Sequence, residues 1–271
     1  MTARTHLVVG AGKMGGALLE GWITSKVISP EQLIILDPHP GQAAQGAIDA
    51  GALHLSKPSE KLNFIKYLLL AIKPQMFADL APAIAKELPE KALVISILAG
   101  TSLESLQDAF KKQSLIRAMP NTPAAIGKGI TAYTKGTDVT KTQAAMTETL
   151  LTAGGKVHHV ANEHLIDVVT AVSGSGPAYV FHMVEALEAA ALKIGLPDDI
   201  APEFARQTII GAAGLLEASP ESAAQLRRNV TSPKGTTEAA LDVLMGLDGL
   251  PSLMRETVQA ALRRAKDLAE N

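Results

Sequence analysis

The sequence predicts an α/β protein, in which a doubly wound and mostly parallel sheet is followed by an all-helical domain. Short apolar runs alternate with helical patterns up to about residue 162, and strand-like runs stop there. The length of 271 residues also exceeds what one compact domain usually holds. We therefore predict two domains, residues 1–162 and residues 163–271.

Seven apolar runs are the candidate strands of the sheet. They span residues 5–9, 33–37, 67–72, 92–98, 114–119, 129–134 and 156–160. Because the first five runs are continuously apolar, they predict strands that are buried on both faces between helices. The last two runs flank a single helix, and we expect them to finish the sheet as an antiparallel edge.

The carboxyl-terminal part carries helical patterns only. Pro177 and Gly195 bracket one pattern as a proline start and a glycine stop. Apolar residues recur at helical spacing in residues 201–219, 235–246 and 251–271. These helices are rich in alanine, glycine, leucine and isoleucine, which predicts that more than one face is buried. A second copy of the chain would supply the cover, so we expect at least a dimer.

Composition excludes several classes of function. The formal net charge is −2, which provides no field that would attract nucleic acid or an acidic membrane. There is no cysteine, so disulfides, thiolate metal sites and thiol nucleophiles are excluded. No apolar run approaches the roughly 20 residues of a membrane span, and no export signal precedes the first strand. We expect a cytoplasmic protein that binds neither nucleic acid nor membrane.

The histidines predict neither a metal site nor a catalytic base. None of the seven stands in an HxxxH or HExxH spacing. His158 and His159 are neighbours in a predicted strand and therefore point to opposite faces. We predict no metal and no catalytic histidine.

Residues 10–15, GAGKMG, carry the strongest local signal. Gly10, Gly12 and Gly15 form a GxGxxG pattern directly after a predicted strand and at the start of a predicted helix. In this context the first glycine allows a tight turn, the second lets a pyrophosphate approach the backbone, and the third allows close helix packing. The helix N-terminus, with Lys13 and Met14, would then face the phosphates. The alternative is a glycine-rich turn without a ligand.

Asp37 ends the second predicted strand, where an acid that binds the adenosine ribose of a dinucleotide is expected. A carboxylate accepts a hydrogen bond from a free 2′-hydroxyl and repels a 2′-phosphate. No lysine or arginine lies between Asp37 and Lys57, so the local sequence favours NADH. The alternative is that Asp37 only starts an Asp-Pro turn. The expected cofactor is therefore NADPH or NADH, with the choice open.

Three further loops follow predicted strands at the edge where ligands bind in such sheets. These loops are residues 71–75, 98–102 and 118–127. Ala71, Lys73 and Pro74 are candidate cofactor residues in the first loop, and Asn121 is a candidate in the third. The Asn121 amide can donate and accept, which suits a nicotinamide ribose or carboxamide. The alternatives are a solvated charge at Lys73 and a rigid turn around Asn121.

Five motifs together resemble those of the pyrroline-5-carboxylate reductases, which make proline. They are GAGKMG (10–15), AIKP (71–74), MPNTP (119–123), SGSGPAY (173–179) and VTSPKGTT (230–237), in the order and approximate spacing of that family. The resemblance covers the whole chain. It implies an N-terminal Rossmann-type domain, a C-terminal all-helical dimerisation domain and an NAD(P)H-dependent oxidoreductase of proline biosynthesis. It also implies a homodimer or a higher homo-oligomer of dimers, with an active site where the nicotinamide of one subunit meets helical residues of its partner.

The sequence departs from the family's pattern at two places. Family members that prefer NADPH often carry an arginine or a hydroxyl-rich cluster after the second strand, where this chain has DPHPGQ at 37–42. Lys234 stands where the family commonly has glycine, so that the loop reads SPKGTT instead of SPGGTT. The added cation at Lys234 either favours an acidic substrate or only faces solvent.

Reduction of a cyclic imine needs little acid catalysis, because the protonated C=N group is already a strong electrophile. The protein then has to place the C=N carbon against nicotinamide C4 and to hold the substrate carboxylate. The helix start after SPKGTT predicts a carboxylate site made of the N–H groups of Gly235, Thr236 and Thr237 and the hydroxyls of Ser232, Thr236 and Thr237. By resemblance, Thr237 is the catalytic threonine that bonds the imine nitrogen. The alternative is a plain helix start with Thr236 or Thr237 as N-cap.

The SGSGPAY motif has two interpretations. Its glycines permit close backbone approach of the nicotinamide or of a partner subunit, with Ser173 and Ser175 just before Pro177. The alternative is a helix break with Ser175 as N-cap.

Two other functions fit part of the pattern. A β-hydroxyacid dehydrogenase shares the two-domain plan, but its lysine would follow the glycine-rich helix start, where this chain has none until Lys193. A non-catalytic dinucleotide-binding regulator would need the Gly10 loop, but it would have no reason to combine it with a carboxylate-binding loop. Both are therefore alternatives to the reductase.

Overall fold

The computed structural model describes residues 3–269. The chain divides into two compact units, Met1–Ser175 with Ala261–Asn271, and Gly176–Ala260. The domain boundary expected after residue 162 stays a prediction. The first compact unit extends beyond it to Ser175, because the helical residues after 163 pack against the sheet.

The first unit contains one sheet. Within residues 3–269 its strands are β1 (His6–Val9), β2 (Leu33–Leu36), β3 (Leu53–Leu55), β4 (Tyr67–Leu70), β5 (Leu93–Ser96), β6 (Ser114–Met119), β7 (Gly129–Lys135) and β8 (Gly155–His159). Their order across the sheet is β3-β2-β1-β4-β5-β6-β7-β8. The strands from β3 to β6 are parallel, β7 is antiparallel to β6, and β8 is parallel to β7. The doubly wound sheet and its antiparallel finish are therefore confirmed.

All seven predicted strands form, and the sheet contains one more. The added strand, β3, is only three residues long and carries His54 at its centre. It pairs with β2 at the edge of the sheet, where Ile34 lies opposite Leu53. A strand this short gives no periodic signal in the sequence.

The helices alternate with the strands and then fill the rest of the chain. Within residues 3–269 they are α1 (Lys13–Thr24), α2 (Gln42–Asp49), α3 (Phe77–Glu87), α4 (Leu103–Ala109), α5 (Lys141–Thr152), α6 (His164–Val169), α7 (Gly176–Lys193), α8 (Ala201–Ala218), α9 (Ala223–Asn229), α10 (Thr236–Leu244) and α11 (Leu250–Ala269). A π-helical turn, Thr170–Gly174, joins α6 to α7. The helix predicted over 251–271 is confirmed as far as Ala269, and residues 270 and 271 lie outside the described residues.

Alternate residues of each central strand face two apolar layers. Val8 contributes to the layer that contains Trp22 of α1, and Leu7 contributes to the layer that contains Ile84 of α3. This is the burial on both faces that continuous apolar strands predict. Trp22, the single tryptophan of the chain, is 1% exposed, and its Nε1–H donates to the Leu150 carbonyl at 2.7 Å.

The second unit is helical and has almost no core of its own. Pro177 lies in the first turn of α7, and Gly195 follows its end with φ +102°, as predicted. Within Gly176–Ala260, only Ala201 and Ala205 are buried. Large apolar side chains are exposed along these helices, among them Phe181 (62%), Phe204 (59%) and Leu215 (61%). Apolar surface on this scale marks an interface in a soluble protein.

None of the helices in the described part of the chain is both long enough and apolar enough to cross a bilayer.

Candidate functional site

The parallel strands bring four loops to one edge of the sheet. Because β1, β4, β5 and β6 are neighbours and point the same way, the segments that follow them share the carboxyl edge. These segments are residues 10–15, 71–75, 97–102 and 120–127. All the predicted cofactor residues except Asp37, which follows neighbouring β2, lie in them. Open α/β sheets bind ligands at this edge, where the strand order reverses, here between β1 and β4.

Gly10 and Gly15 serve the packing of the glycine loop. Gly10 has φ +82°, and a Cβ there would lie 2.7 Å from the Ala71 carbonyl oxygen. A Cβ at Gly15 would overlap the Gly10 carbonyl oxygen and lie 2.9 Å from the Ala71 Cβ. Ala71 therefore packs directly on the glycine loop and leaves no room for side chains at Gly10 and Gly15.

Gly12 is different, because a Cβ there would meet no atom within 4 Å. Gly12 is the N-cap of α1, with no side-chain cap, and Lys13 and Met14 are the first two residues of the helix. The N–H groups of a first helical turn have no acceptor within the helix, and they carry the positive end of its dipole. An open backbone above unpaired N–H groups fits a pyrophosphate, so the residues present fit a dinucleotide.

Asp37 is bound to the backbone on both sides. Its Oδ2 accepts from the Ala11 N–H at 2.8 Å, and its Oδ1 accepts from the His39 N–H at 2.8 Å. The second bond closes the Asp-Pro turn, as one interpretation of the sequence expects. The first bond joins this turn to the glycine loop. Asp37 therefore shapes the turn and also presents a carboxylate beside the predicted phosphate cradle.

The residues of the AIKP loop differ in their surroundings. The carbonyl of Ala71 contacts Gly10, whereas the side chain of Lys73 is exposed at the edge of the sheet. Pro74 begins the short 3-10 turn Pro74–Met76. The exposed Lys73 side chain follows β4 at the carboxyl edge of the sheet, where a ligand would be within its reach.

Asn121 is buried, and the oxygen of its side-chain amide already accepts a hydrogen bond within the protein. Its Oδ1 accepts from the Ile130 N–H of β7 at 2.9 Å, and its backbone carbonyl accepts from the Ala124 N–H at 3.0 Å. The amide was predicted to donate and to accept toward a ligand. One lone pair of Oδ1 is therefore engaged within the protein, and the Nδ2 hydrogens are the donors that the amide offers to a ligand.

The SGSGPAY motif does not begin with a helix break. Ser175 has helical dihedral angles, and its N–H donates to the Thr170 carbonyl at 2.8 Å, which is the i to i+5 bond of a π-helical turn. The alternative interpretation, a helix break with Ser175 as N-cap, is therefore wrong. Ser173 donates back to the Val169 carbonyl at 3.1 Å. A Cβ at Gly174 would lie 3.8 Å from Met119 Sδ, so this turn packs against the start of the MPNTP motif. Turns of this kind are frequent at functional sites.

In the helical unit, SPKGTT forms a tight turn that leads into α10. The N-cap is Gly235, so the alternative interpretation with Thr236 or Thr237 as N-cap is wrong. These two threonines occupy the first two helical positions. The Gly235 N–H donates to the Ser232 carbonyl at 3.0 Å and is therefore not available to a ligand, contrary to the prediction. The N–H groups of Thr236 and Thr237 have no helical acceptor. Threonines inside helices, such as Thr208, bond to the carbonyl four residues back, and at Thr237 no such helical carbonyl exists.

Comparisons with known proteins agree with the motifs. A family model described as pyrroline-5-carboxylate reductase dimerisation matches residues 163–268, and one described as NADP oxidoreductase, coenzyme F420-dependent, matches residues 7–100. A pyrroline-5-carboxylate reductase of Synechocystis is 40% identical over 97% of this chain and 97% of its own length. The chain belongs to the pyrroline-5-carboxylate reductase family. The predicted family is thereby confirmed.

Solved structures of the reductase family have the same fold. A pyrroline-5-carboxylate reductase from Coxiella burnetii has a TM-score of 0.90 and 31% identity, and each chain is covered completely. The pyrroline carboxylate reductase of Plasmodium falciparum, with NADP bound, has a TM-score of 0.84 and 26% identity over 99% of this chain and 100% of that one. The predicted fold class is confirmed.

Lys234 has a conformational explanation within the reductase family. Its φ is +58°, in the left-handed region that favours glycine, and its N–H donates to Glu238 Oε2 at 2.7 Å. The family's common glycine suits this backbone, whereas a lysine is strained there. The Lys234 side chain is exposed, and it is the Glu238 carboxylate that stabilises the turn by accepting the backbone N–H bond.

We expect Lys234→Gly to stabilise the protein by about 0.5–1 kcal/mol, because relief of the left-handed strain outweighs the greater freedom of glycine in the unfolded chain. Chemical denaturation of the two proteins measures this difference. The control is Lys193→Gly, at the end of α7, which is expected to destabilise. A loss of stability in Lys234→Gly would show that the lysine side chain holds the turn.

The sequence patterns do not single out Arg117, which the structure places at the centre of β6. It is 2% exposed and donates to Glu163 Oε1 at 2.8 Å and to Asp167 Oδ1 at 2.7 Å. The available signal was an arginine within an otherwise apolar strand, since a buried charge requires partners. In residues 3–269, no three histidine, aspartate or glutamate side chains are grouped so that they could hold a metal ion.

Proposed function

We propose that this chain reduces the C=N bond of 1-pyrroline-5-carboxylate with NADPH or NADH and so forms L-proline. The observation that carries the proposal is the family membership of the whole chain, with 40% identity to a reductase over 97% of its length. The NADP in the Plasmodium falciparum relative and the NADP oxidoreductase match over residues 7–100 support the use of a nicotinamide cofactor.

The cofactor half of the proposed site is the carboxyl edge of the sheet. Gly12, Lys13 and Met14 would hold the pyrophosphate at the N-terminus of α1, with Gly10, Gly15 and Ala71 shaping the loop. Asp37 would bind the adenosine ribose, and Lys73, Pro74 and the Asn121 Nδ2 would hold the nicotinamide half. When bound, the nicotinamide supplies a hydride to the substrate carbon.

The substrate half of the proposed site is the start of α10. The N–H groups of Thr236 and Thr237 would bind the substrate carboxylate at the positive end of the helix, with the Ser232 and Thr236 hydroxyls beside them. The Thr237 hydroxyl would bond the imine nitrogen and keep its proton in place. Gly235 contributes as the N-cap that allows this close turn, rather than through its own N–H. The site therefore needs no histidine or carboxylate.

We propose a homodimer, or a larger assembly of dimers, as the working enzyme. The dimerisation match over residues 163–268 and the exposed apolar side chains of the helical unit support this assembly. We further propose that the partner's helical unit completes the active site. A cytoplasmic location, with a small-molecule substrate instead of nucleic acid or membrane, is proposed from the net charge of −2 and the absence of cysteine.

The experiment for the proposed function follows NADPH and NADH absorbance after addition of 1-pyrroline-5-carboxylate. We expect oxidation of the cofactor and formation of proline. Hydroxyacid and ketoacid pairs are the controls, and turnover with them alone would support the β-hydroxyacid dehydrogenase alternative. Cofactor binding without any turnover would support the regulator alternative and contradict the proposal.

We expect Asp37→Ser to raise kcat/KM with NADPH relative to NADH by about tenfold, because it removes a charge that repels a 2′-phosphate. Steady-state kinetics with both cofactors measures the ratio. Asp49→Ser is the matched control, since Asp49 is an exposed acid in α2 that bonds only Gln45. An unchanged ratio in Asp37→Ser would mean that Asp37 only closes its turn.

A further inference from the structure

A buried ion-paired group, called the Arg117 cluster below, lies beneath the carboxyl edge of the sheet. Arg117 Nη1 donates to Glu163 and Nη2 donates to Asp167, with side-chain exposures of 2% for Arg117, 32% for Glu163 and 12% for Asp167. Glu163 and Asp167 are four residues apart at the start of α6, so they share one face of that helix. The two acids would repel each other without the arginine.

The Arg117 cluster also holds a third segment. Glu163 Oε1 accepts from the Leu103 N–H at 2.7 Å, and Leu103 is the first residue of α4, directly after the loop at 98–102. Glu163 therefore caps the helix of another segment while it binds Arg117. One carboxylate thus fixes the distance between the loop after β5 and the strand that carries Arg117.

The segments that meet at the Arg117 cluster lead to the motifs of the proposed site. Strand β6 ends at Met119, two residues before Asn121. Helix α6 continues into the π-helical turn Thr170–Gly174, where a Cβ added at Gly174 would lie 3.8 Å from Met119. A π-helical turn is rare and occurs mostly as a single turn inside an α-helix, often at a functional site.

We propose that Arg117 is a positioning residue for the reduction: its fork holds β6, α4 and α6 in one arrangement, and so orients Asn121 and the π-helical turn for the nicotinamide. This inference rests on the proposed function. Arginine is required because its planar fork reaches two carboxylates at fixed angles, whereas a lysine is a single point charge. A buried ion pair contributes little net stability compared with apolar residues of similar size, so geometry is what the cluster provides.

The first test compares Arg117→Lys with wild type, and uses Lys112→Met as the control. Lys112 forms an exposed ion pair with Glu90, so its loss leaves the fold and site intact. We expect kcat in Arg117→Lys to fall at least tenfold, with the dissociation constant of NADPH changed less than threefold, because the phosphate cradle at Gly12 is built from a different strand. Conversely, an unchanged kcat in folded Arg117→Lys would overturn the proposal.

A second variant covers the case in which Arg117→Lys does not fold. The triple variant Arg117→Met, Glu163→Gln, Asp167→Asn removes all three charges together, so no uncompensated charge stays buried. It is expected to fold and to keep the same low kcat. A triple variant with wild-type kcat would show that apolar and neutral side chains fill the space equally well, which would contradict the positioning role of Arg117.

The third readout does not depend on catalysis. The Ser175 N–H closes the π-helical turn, and we expect its hydrogen exchange to be at least tenfold faster in Arg117→Lys than in Lys112→Met. Equal exchange in the two variants would contradict the positioning role. If wild type does not reduce the imine, the proposed function fails, and the exchange at Ser175 alone decides whether Arg117 orients the turn.

Discussion

Gly12→Val is expected to weaken binding of NADPH and NADH by at least about 100-fold, or about 2.7 kcal/mol, while the apo protein stays folded. A Cβ at Gly12 would meet no protein atom within 4 Å, so the first atom of the new side chain is accommodated without a clash. The same space is where the pyrophosphate has to approach the backbone. The φ of −69° at Gly12 suits any residue, and the expected stability cost is about 1 kcal/mol, because valine is a poorer N-cap.

Gly15→Val is the control for Gly12→Val, because it exchanges the same residue types three positions later. A Cβ at Gly15 overlaps the Gly10 carbonyl and crowds Ala71, so the valine should cost about 3 kcal/mol of folding free energy. Thermal unfolding with and without NADPH separates the two effects. If Gly12→Val kept its NADPH-induced rise in Tm, the phosphate cradle would have to lie elsewhere.

Thr237→Val is expected to lower kcat about 10- to 100-fold and to leave the dissociation constant of NADPH nearly unchanged. The valine removes a hydroxyl proposed to bond a charged imine nitrogen, and such bonds contribute about 1.5–3 kcal/mol. The change should not unfold α10, since Gly235 is the N-cap and the Thr237 hydroxyl caps nothing. Stopped-flow reduction and cofactor titration measure the two quantities separately.

Thr149→Val provides the matched control for Thr237→Val. Thr149 is an exposed helical threonine in α5, and its hydroxyl donates to the Ala145 carbonyl at 3.0 Å. Its replacement should leave kcat unchanged. Equal losses of kcat in both variants, or a loss confined to cofactor affinity in Thr237→Val, would remove Thr237 from the chemistry.

The sheet could be predicted because burial on both faces leaves a direct pattern in the sequence. Runs such as 33–36 and 67–70 contain almost only apolar residues without alternation, and each of them forms a strand with neighbours on both sides. Strand β3 could not be predicted, because three residues around an exposed His54 are too few to establish an alternating pattern. The glycine loop was predictable for a different reason, since its spacing is fixed by the shape of the turn.

The rest of the site depends on dihedral angles and partners that no residue pattern specifies. The sequence does not explain why the family commonly has glycine at position 234. The backbone φ of +58° at Lys234 does explain it. In place of the helix break that one interpretation put at Ser175, the chain forms a π-helical turn, whose i to i+5 hydrogen bond has no sequence signal. Asn121 has the expected place, but its Oδ1 is used by β7, a partner nine residues further along the chain.

The position of Trp22 has an optical consequence. It is the only indole in the chain, it is buried, and its Nε1–H donates to the carbonyl of Leu150. It lies in α1, the helix whose N-cap is Gly12. We therefore expect its fluorescence emission to report on the first unit, and unfolding of the second, helical unit by itself to leave that emission unchanged. Reduced nicotinamide absorbs where tryptophan emits, so the same indole can act as a resonance-energy donor to a cofactor bound at the end of its own helix.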